Sequence, residues 1–279
     1  MSTTTHTSHK TTDKTPNPAR TVQKLFDLTG RTALITGGSR GLGLQMAHAL
    51  GEAGARLMIC ARKSNELEVA AVELAQAGIE VSWMACDSSR EDEIARLTQT
   101  AIERLGHVDI LVNNAGATWG ALAEDYPVEG WDKVMNVNIR GLFLLTRNIG
   151  KASMIPRRSG RVINISSVAA LGGNVDQMQA VAYNTSKGAV KTFTRALAAE
   201  WGRYGITVNA IAPGVFPSKM GDHLVTHTGD GPVPGVPLGR YGDNEDLKGA
   251  TLLFASDAGK HITGQFLPVD GGASAVILA

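Results

Sequence analysis

Cysteine is almost missing: 279 residues contain two, Cys60 and Cys86, both within apolar, strand-like runs. Two thiols without CxxC spacing exclude a disulfide framework and a cysteine-based metal site, and read as reduced core residues. No metal site is expected. An excess of either charge is also lacking. Twenty-seven Lys and Arg against 26 Asp and Glu leave a formal charge of +1, so no whole-chain field favours nucleic acid or an anionic membrane. No apolar run reaches the roughly 18–20 residues that a membrane-spanning helix needs. The opening segment is rich in Thr, Ser, His and Lys and lacks the apolar centre of a signal peptide. Residues 1–22 are therefore expected to form a disordered tail, and the compartment to be cytoplasmic. No Pro/Ser-rich linker separates Thr32 from Leu278, and no internal repeat is visible.

What is abundant is glycine, with 32 residues, beside a hydrophobic fraction of 43%. That composition suits an α/β protein with many tight turns. Short apolar or β-branched runs occur at Thr32–Ile35, Arg56–Cys60, Val81–Ala85, Val108–Val112, Arg161–Ile165, Thr207–Ile211 and Phe266–Val269. Between most of them the spacing turns helical, as in Leu42, Met46, Ala49 and Leu50, or Val190, Phe193 and Leu197. Strands alternating with helices imply βαβ units, hence a seven-stranded, mainly parallel sheet covered on both faces. One domain over residues 23–279 is expected. Within it, residues 214–243 include Gly229-Asp-Gly-Pro-Val-Pro-Gly235; a Gly/Pro-rich stretch of this length reads as a substrate lid. Asp243 reads as an N-cap, with Asp246 at N3 of a helix running through Leu253.

The first strand runs directly into Thr36-Gly-Gly-Ser-Arg-Gly-Leu-Gly43, after which helical spacing begins. Gly37, Gly41 and Gly43 permit a tight turn and a close approach of backbone N–H groups to a pyrophosphate, which the helix N-terminus also attracts. The strand before and the helix after make this a dinucleotide loop rather than a plain turn, and the fold a doubly wound, Rossmann-type one. About 20 residues further on, an acid would ordinarily hold the ribose 2′-OH. Here Cys60-Ala61-Arg62-Lys63 stands instead. An acid would repel a 2′-phosphate, whereas arginine pairs with one bidentately. With Arg40 inside the loop, Arg62 and Lys63 favour NADP(H) over NAD.

Tyr183 and Lys187 lie four apart in Tyr-Asn-Thr-Ser-Lys, a spacing that stacks both side chains on one helix face. Tyrosine, with a reference pKa of about 10, is a poor base at neutral pH; a neighbouring ammonium stabilises phenolate and makes proton exchange with a substrate oxygen feasible. Ser166 and Ser167 end the strand Gly160-Arg-Val-Ile-Asn-Ile165. Open α/β sheets place their ligand crevice at such carboxyl ends.

Thr-Gly-x-x-x-Gly-x-Gly at 36–43, Asn113-Asn-Ala-Gly116, Asn138, Ser167, Tyr183-x-x-x-Lys187 and Pro213-Gly214 together resemble the short-chain dehydrogenase/reductases, in the same order, over about residues 28 to 278. The resemblance implies an oxidoreductase in which Tyr183 is the general acid in reduction and base in oxidation. It also implies that Lys187 binds the nicotinamide ribose and lowers the tyrosine pKa. Ser167 would hold the substrate oxygen, with Ser166 as the rival serine, and Asn138 would support a water in the proton relay. The alternative for Asn138 is a helix-face amide bonded to its own backbone. The cofactor would meet Ser39 and Leu42 with the loop glycines, Asp87 and Ser88 at the adenine edge, and Asn114, Ala115 and Gly116 at the adenosine ribose. Pro213, Gly214, Val215 and Ser218 would face the carboxamide. The serine-to-tyrosine spacing is longer than in many compact members, the extra length falling in Gly172-Gly-Asn-Val-Asp-Gln-Met178.

Within the family, Asn113 to Gly120, Asp125 to Met135 and Ala212 to Met220 closely resemble β-ketoacyl reductases of rhamnolipid biosynthesis. That similarity implies reduction of a 3-oxoacyl thioester. Trp119 and Met220 read equally as acyl-pocket lining and as core. Arg158 falls where carrier-protein-dependent reductases bear a docking arginine, but Tyr204, beside Arg203, replaces the second. Acyl carrier protein is thus one candidate partner. The alternatives are a reductase of another small carbonyl, such as a sugar acid or polyol, and a non-catalytic NADP-binding regulator. The resemblance also implies a homotetramer or homodimer, packed through helices around Leu142–Ile149 and Lys187–Trp201.

Overall fold

All seven apolar runs become strands of one sheet in the computed structural model, which describes residues 19–173, 179–217 and 233–276. The strands are β1 (Thr32–Thr36), β2 (Arg56–Ala61), β3 (Val81–Ala85), β4 (Ile110–Asn113), β5 (Gly160–Ile165), β6 (Ile206–Pro213) and β7 (Phe266–Val269). They lie in the order β3-β2-β1-β4-β5-β6-β7, and every pairing is parallel. The crossovers are made by α2 (Gly41–Glu52), α3 (Ser64–Gln76), α4 (Glu91–Leu105), α5 (Val128–Met135), α6 (Leu142–Ile149), α7 (Ile155–Arg157), α8 (Val181–Trp201) and α9 (Lys248–Ala255), after a short α1 (Val22–Phe26).

Burial on both faces explains why these strands are apolar without alternation. Successive side chains of a strand point to opposite faces. Ala33, Ile35, Leu57 and Ile59 join the cluster that also holds Met46, Leu50 and Leu74. Their neighbours Leu34, Met58 and Cys60 join the opposite one, with Ile94, Leu97 and Leu145. Each such fully buried aliphatic side chain contributes roughly 1.5–3 kcal/mol. Both cysteines are free and buried.

Three details differ from the expectations. β4 starts at Ile110, two residues late: the Val108 N–H and carbonyl both bond the Ser153 hydroxyl (2.9 and 3.1 Å) instead of a neighbouring strand, and the Asp109 carboxylate accepts from the Thr32 N–H (3.0 Å) and Arg157 (2.9 Å). Asp243 does accept from the N–H groups of Glu245 and Asp246, but the continuous helix begins only at Lys248. Arg240 holds Asp246 at 2.6 and 2.9 Å, and the chain makes a separate turn there, closed by Lys248 N–H on the Glu245 carbonyl. Of the expected tail, residues 1–18 lie outside the described residues. Thr21 caps α1, and Arg20 reaches Asp257 at 2.6 Å. Among the described residues no helix is long and apolar enough to cross a membrane.

The sheet order reverses between β1 and β4. In open α/β sheets the crevice beyond the strand ends opens at such a point, and Thr36 and Asn113 stand at its floor.

Candidate active site

The loop after β1 is braced from β4. The Thr36 hydroxyl accepts from the N–H groups of Asn114 and Ala115, both at 2.9 Å. The Asn114 amide donates to the carbonyls of Thr36 and Gly37 at 3.0 and 3.1 Å. Asn114 thus shapes the loop, and its side-chain N–H groups are committed to it. Gly37 adopts φ +64°, and a Cβ on Gly43 would lie 2.1 Å from the Gly37 carbonyl oxygen, so helix α2 and the loop are packed backbone to backbone. Gly41 is different: at φ +52° its absent Cβ would face open space. α2 begins there, and Arg40, at its N-cap, supplies no side-chain hydrogen bond to its first N–H groups. A helix start without a side-chain cap, bordered by Gly41, suits a pyrophosphate. The residues present fit a dinucleotide.

The corner expected to take a 2′-phosphate contains an acid that the sequence pattern did not reveal. Arg40 and Lys63 both bond the Glu66 carboxylate, at 3.0 and 3.2 Å, and the Ser39 hydroxyl lies 3.5 Å from it. Glu66 sits in the first turn of α3, past the strand end where a ribose-binding acid is sought. Arg62, exposed nearby, interacts electrostatically with Asp87. Asp87 is itself oriented by Ser89, whose N–H and hydroxyl donate to it at 2.9 and 2.7 Å. Burial opposes its charge, but those bonds with Arg62 and Arg90 hold the carboxyl below its usual range. The neighbouring Ser88 carbonyl presses on Gly141.

The two serines after β5 separate cleanly. Ser166 is buried and donates to the Lys187 carbonyl at 2.8 Å, tying β5 to α8. Ser167 is half-buried; its hydroxyl accepts from Ala169 N–H at 3.1 Å and lies beside the Tyr183 phenol. Burial pushes the phenol above its usual pKa, and Ser167 pulls it partly back. Lys187 is buried, donates to the Ile165 carbonyl at 2.8 Å and has its Nζ 5.5 Å from the centre of the Tyr183 ring. Burial lowers the ammonium to about 8. Desolvation is the largest influence on both groups.

Asn138 sits in a π-helical segment, Asn136–Gly141, between α5 and α6; such widened turns recur at functional sites. Its amide accepts from Ala117 N–H at 2.7 Å and donates to the Ala117 carbonyl (3.0 Å) and the Ser186 hydroxyl (2.9 Å). It does not bond its own backbone. It joins the β4 loop to α8, and a Cβ on Gly116 would lie 3.6 Å from Asn138 and 3.8 Å from the Asn114 carbonyl and the Lys187 Nζ. On the far wall, Pro213 ends β6, Gly214 N–H donates to the Val269 carbonyl at 3.0 Å and Val215 accepts from Gly242 N–H at 3.0 Å. A Cβ on Gly214 would meet Asp270 at 2.8 Å. Ser218, Met220 and half of the expected lid lie outside the described residues, as do 174–178 of the lengthened loop. Leu42 is half-buried on α2 beside the loop.

These features converge on one class, and comparison with known proteins agrees. Residues 31–228 match the family described as short chain dehydrogenase. The chain belongs to the short-chain dehydrogenase family and is an oxidoreductase. It is 40% identical over 252 residues to the rhamnolipids biosynthesis 3-oxoacyl-[acyl-carrier-protein] reductase of Pseudomonas aeruginosa, covering 88% of this chain and 97% of that protein. The structure of Pseudomonas aeruginosa RhlG in an active-site complex with NADP superposes with a TM-score of 0.81 at 40% identity, over 90% of this chain and 99% of that one. A gluconate 5-dehydrogenase from Burkholderia cenocepacia, in complex with NADP and tartrate, superposes with a TM-score of 0.84 at 33% identity, over 91% and 99%.

Proposed function

We propose that the protein is an NADP(H)-dependent reductase of 3-oxoacyl thioesters, with Tyr183 as acid, Ser167 and Lys187 as its partners and Asn138 as the residue that positions their frame. The observation that carries the reading is the grouping of Tyr183 and Lys187 on α8 with Ser167 just past the carboxyl end of β5, Lys187 donating to the Ile165 carbonyl at 2.8 Å and lying 5.5 Å from the Tyr183 ring. NADP(H) is supported by Arg40, Arg62 and Lys63 and by the two NADP-bound neighbours. When bound, that cofactor supplies the hydride. The chain does the rest: Ser167 donates to the substrate oxygen, and Tyr183 delivers its proton there as negative charge develops. Lys187, anchored on Ile165, would face the ribose hydroxyls. Gly37, Ser39, Gly41, Leu42 and Gly43 would hold the pyrophosphate, Asp87 and Ser88 the adenine edge, and Ala115 and Gly116 the ribose. Pro213, Gly214, Val215 and Ser218 would face the carboxamide.

An acyl substrate is favoured over a sugar acid by what the site exposes. Trp119, Leu122, Leu171 and Val181 are 36%, 44%, 46% and 40% exposed, on the segments that follow β4 and β5 and open α8. The first and last of these segments meet through Ala121 N–H on the Gln179 carbonyl. For a carrier protein, Arg158 donates to the Arg203 carbonyl at 2.6 Å, and Arg203 stacks on Tyr204, so a cationic patch forms without the second arginine. Assembly as a homodimer or homotetramer would cover exposed Phe143 of α6, which stacks edge-on with Phe193 of α8. The test is loss of nicotinamide absorbance with NADPH and a carbonyl panel. Turnover of 3-oxoacyl thioesters at least tenfold above 5-ketogluconate is expected; the reverse order would replace this reading with the sugar-acid one.

A further inference from the structure

Glu66 is placed where an acid should weaken binding of the cofactor assigned above. An acid in the first turn of a helix needs no functional reason, since the helix N-terminus stabilises it. The carboxylate nevertheless reaches out of its own helix. It accepts from Arg40 in the glycine loop at 3.0 Å, 26 residues away, and from Lys63 at 3.2 Å, with the Ser39 hydroxyl at 3.5 Å. Two cations and a hydroxyl around one anion make the donor set that a phosphate monoester would take. The Glu66 side chain is 21% exposed, and those of Arg40 and Lys63 are 48% and 63% exposed. Ion pairs this open to solvent are individually weak and exchange readily.

We propose that Glu66 is a built-in competitor for the cofactor's 2′-phosphate. It holds Arg40, Lys63 and Ser39 together as a phosphate would, and must yield them when NADPH binds. NADH brings no phosphate, leaves the cluster undisturbed and meets no repulsion from the carboxylate. Glu66 thereby sets how strongly the enzyme prefers NADPH, at a level below what its cations alone would give. The proposal rests on reading Arg40, Arg62 and Lys63 as the 2′-phosphate corner.

The test is equilibrium binding of NADPH, NADH, 2′-AMP and 5′-AMP to the full chain, by calorimetry or nicotinamide fluorescence. Glu66→Gln should tighten NADPH and 2′-AMP by about tenfold, as removing one unit charge beside a dianion does in a high-dielectric setting. NADH and 5′-AMP should stay within about twofold. Glu66→Asp keeps an acid in the helix's first turn but withdraws it, and should give a smaller gain in the same direction. This second variant carries the test if the first does not fold. If both variants leave the NADPH to NADH ratio unchanged, or lower it, the proposal is overturned and Glu66 is a helix-start acid. Arg40→Ala and Arg62→Ala separate that failure from the failure of the underlying reading. If they weaken NADPH alone while Glu66→Gln is flat, only the proposal falls. If none of the four variants changes either affinity, the corner does not bind the phosphate, and both fall.

Discussion

At the residue scale, neighbours of identical type do different work. Ser166 and Ser167 are adjacent just past β5, yet one hydroxyl is spent on the α8 backbone at Lys187 and the other lies beside the Tyr183 phenol. Ser166→Ala should therefore lose about 1 kcal/mol of stability, a single buried hydrogen bond, with near-normal turnover. Tyr183→Phe should do the opposite: it keeps the ring, loses about 10²–10⁴-fold in rate and binds NADPH almost as before. Parallel melting curves, steady-state rates and cofactor titrations decide it, and a Tyr183→Phe enzyme with wild-type turnover would sink the acid assignment. Lys187 gives a prediction of opposite sign for stability. Its folded pKa of about 8 lies below the ordinary 10.5, so the buried ammonium costs roughly 3 kcal/mol wherever it stays protonated in both states, below about pH 8. The cost fades as pH rises from there toward 10.5. Lys187→Met should melt higher than wild type at neutral pH, by roughly 1–3 kcal/mol after loss of the Ile165 bond, and be inactive. The gap should narrow in alkali. A variant no more stable than wild type at neutral pH would show that the ammonium is not penalised. The four-residue Tyr–Lys spacing was legible in the sequence; the dominance of desolvation over the charge pair was not, because burial is a property of the whole site.

At the element scale, the connection from β4 to β5 begins with an irregular stretch, 114–127, and continues as unbroken helix over 128–157 that widens twice, in π-helical segments at Asn136–Gly141 and Gly150–Met154. The first aims Asn138 at Ala117 and Ser186. It also carries Gly141, where a Cβ would lie 2.0 Å from the Ser88 carbonyl oxygen and 3.2 Å from that of Asn136. Backbone on the other side cannot yield as a flexible side chain would. Gly141→Ala should cost about 1–3 kcal/mol, the range for overpacking. It should also lower kcat by displacing Asn138. Denaturant unfolding beside kinetics tests this; an unchanged midpoint would mean that the segment can shift freely. The sequence located all seven strands because apolar runs are local. It did not reveal the π segments, whose extra residue per turn is imposed by what the helix packs against. The later start of α9 likewise depends on Arg240 reaching Asp246.

At the scale of the whole molecule, the end of the sheet away from the site is closed by charge. Asp109 joins β4 to Arg31 (3.7 Å), Arg157 (2.9 Å) and His107 (3.1 Å), while Asp257 takes Arg20, Arg31 and Arg161. Burial would raise the Asp109 pKa, but the Thr32 N–H, Arg157 and His107 hold it below the usual range. A carboxyl depressed in the fold contributes stability above its unfolded pKa, and that contribution is lost as pH falls through the lower folded value. Asp109→Asn should destabilise by about 1–3 kcal/mol at neutral pH, less than a fully buried pair because the arginines are partly exposed. It should also lose stability less steeply in acid. Melting temperatures across the acid range check it, and parallel curves for the two proteins would rule it out.

What the sequence determined alone was the part written in short-range pattern. Runs of apolar residues place the strands, Gly37, Gly41 and Gly43 after β1 make the phosphate loop, and Tyr183 and Lys187 share a helix face because 3.6 residues make a turn. What only the tertiary structure decided was which side chains meet across long separations. Asn138 finds Ser186 48 positions away, the Asn114 amide is drawn to the glycine loop rather than left for a ligand, and Glu66 lands on Arg40. No periodicity announces such contacts, because they exist only once the parallel crossovers have brought the ends of β1, β2, β4 and β5 to one edge of the sheet.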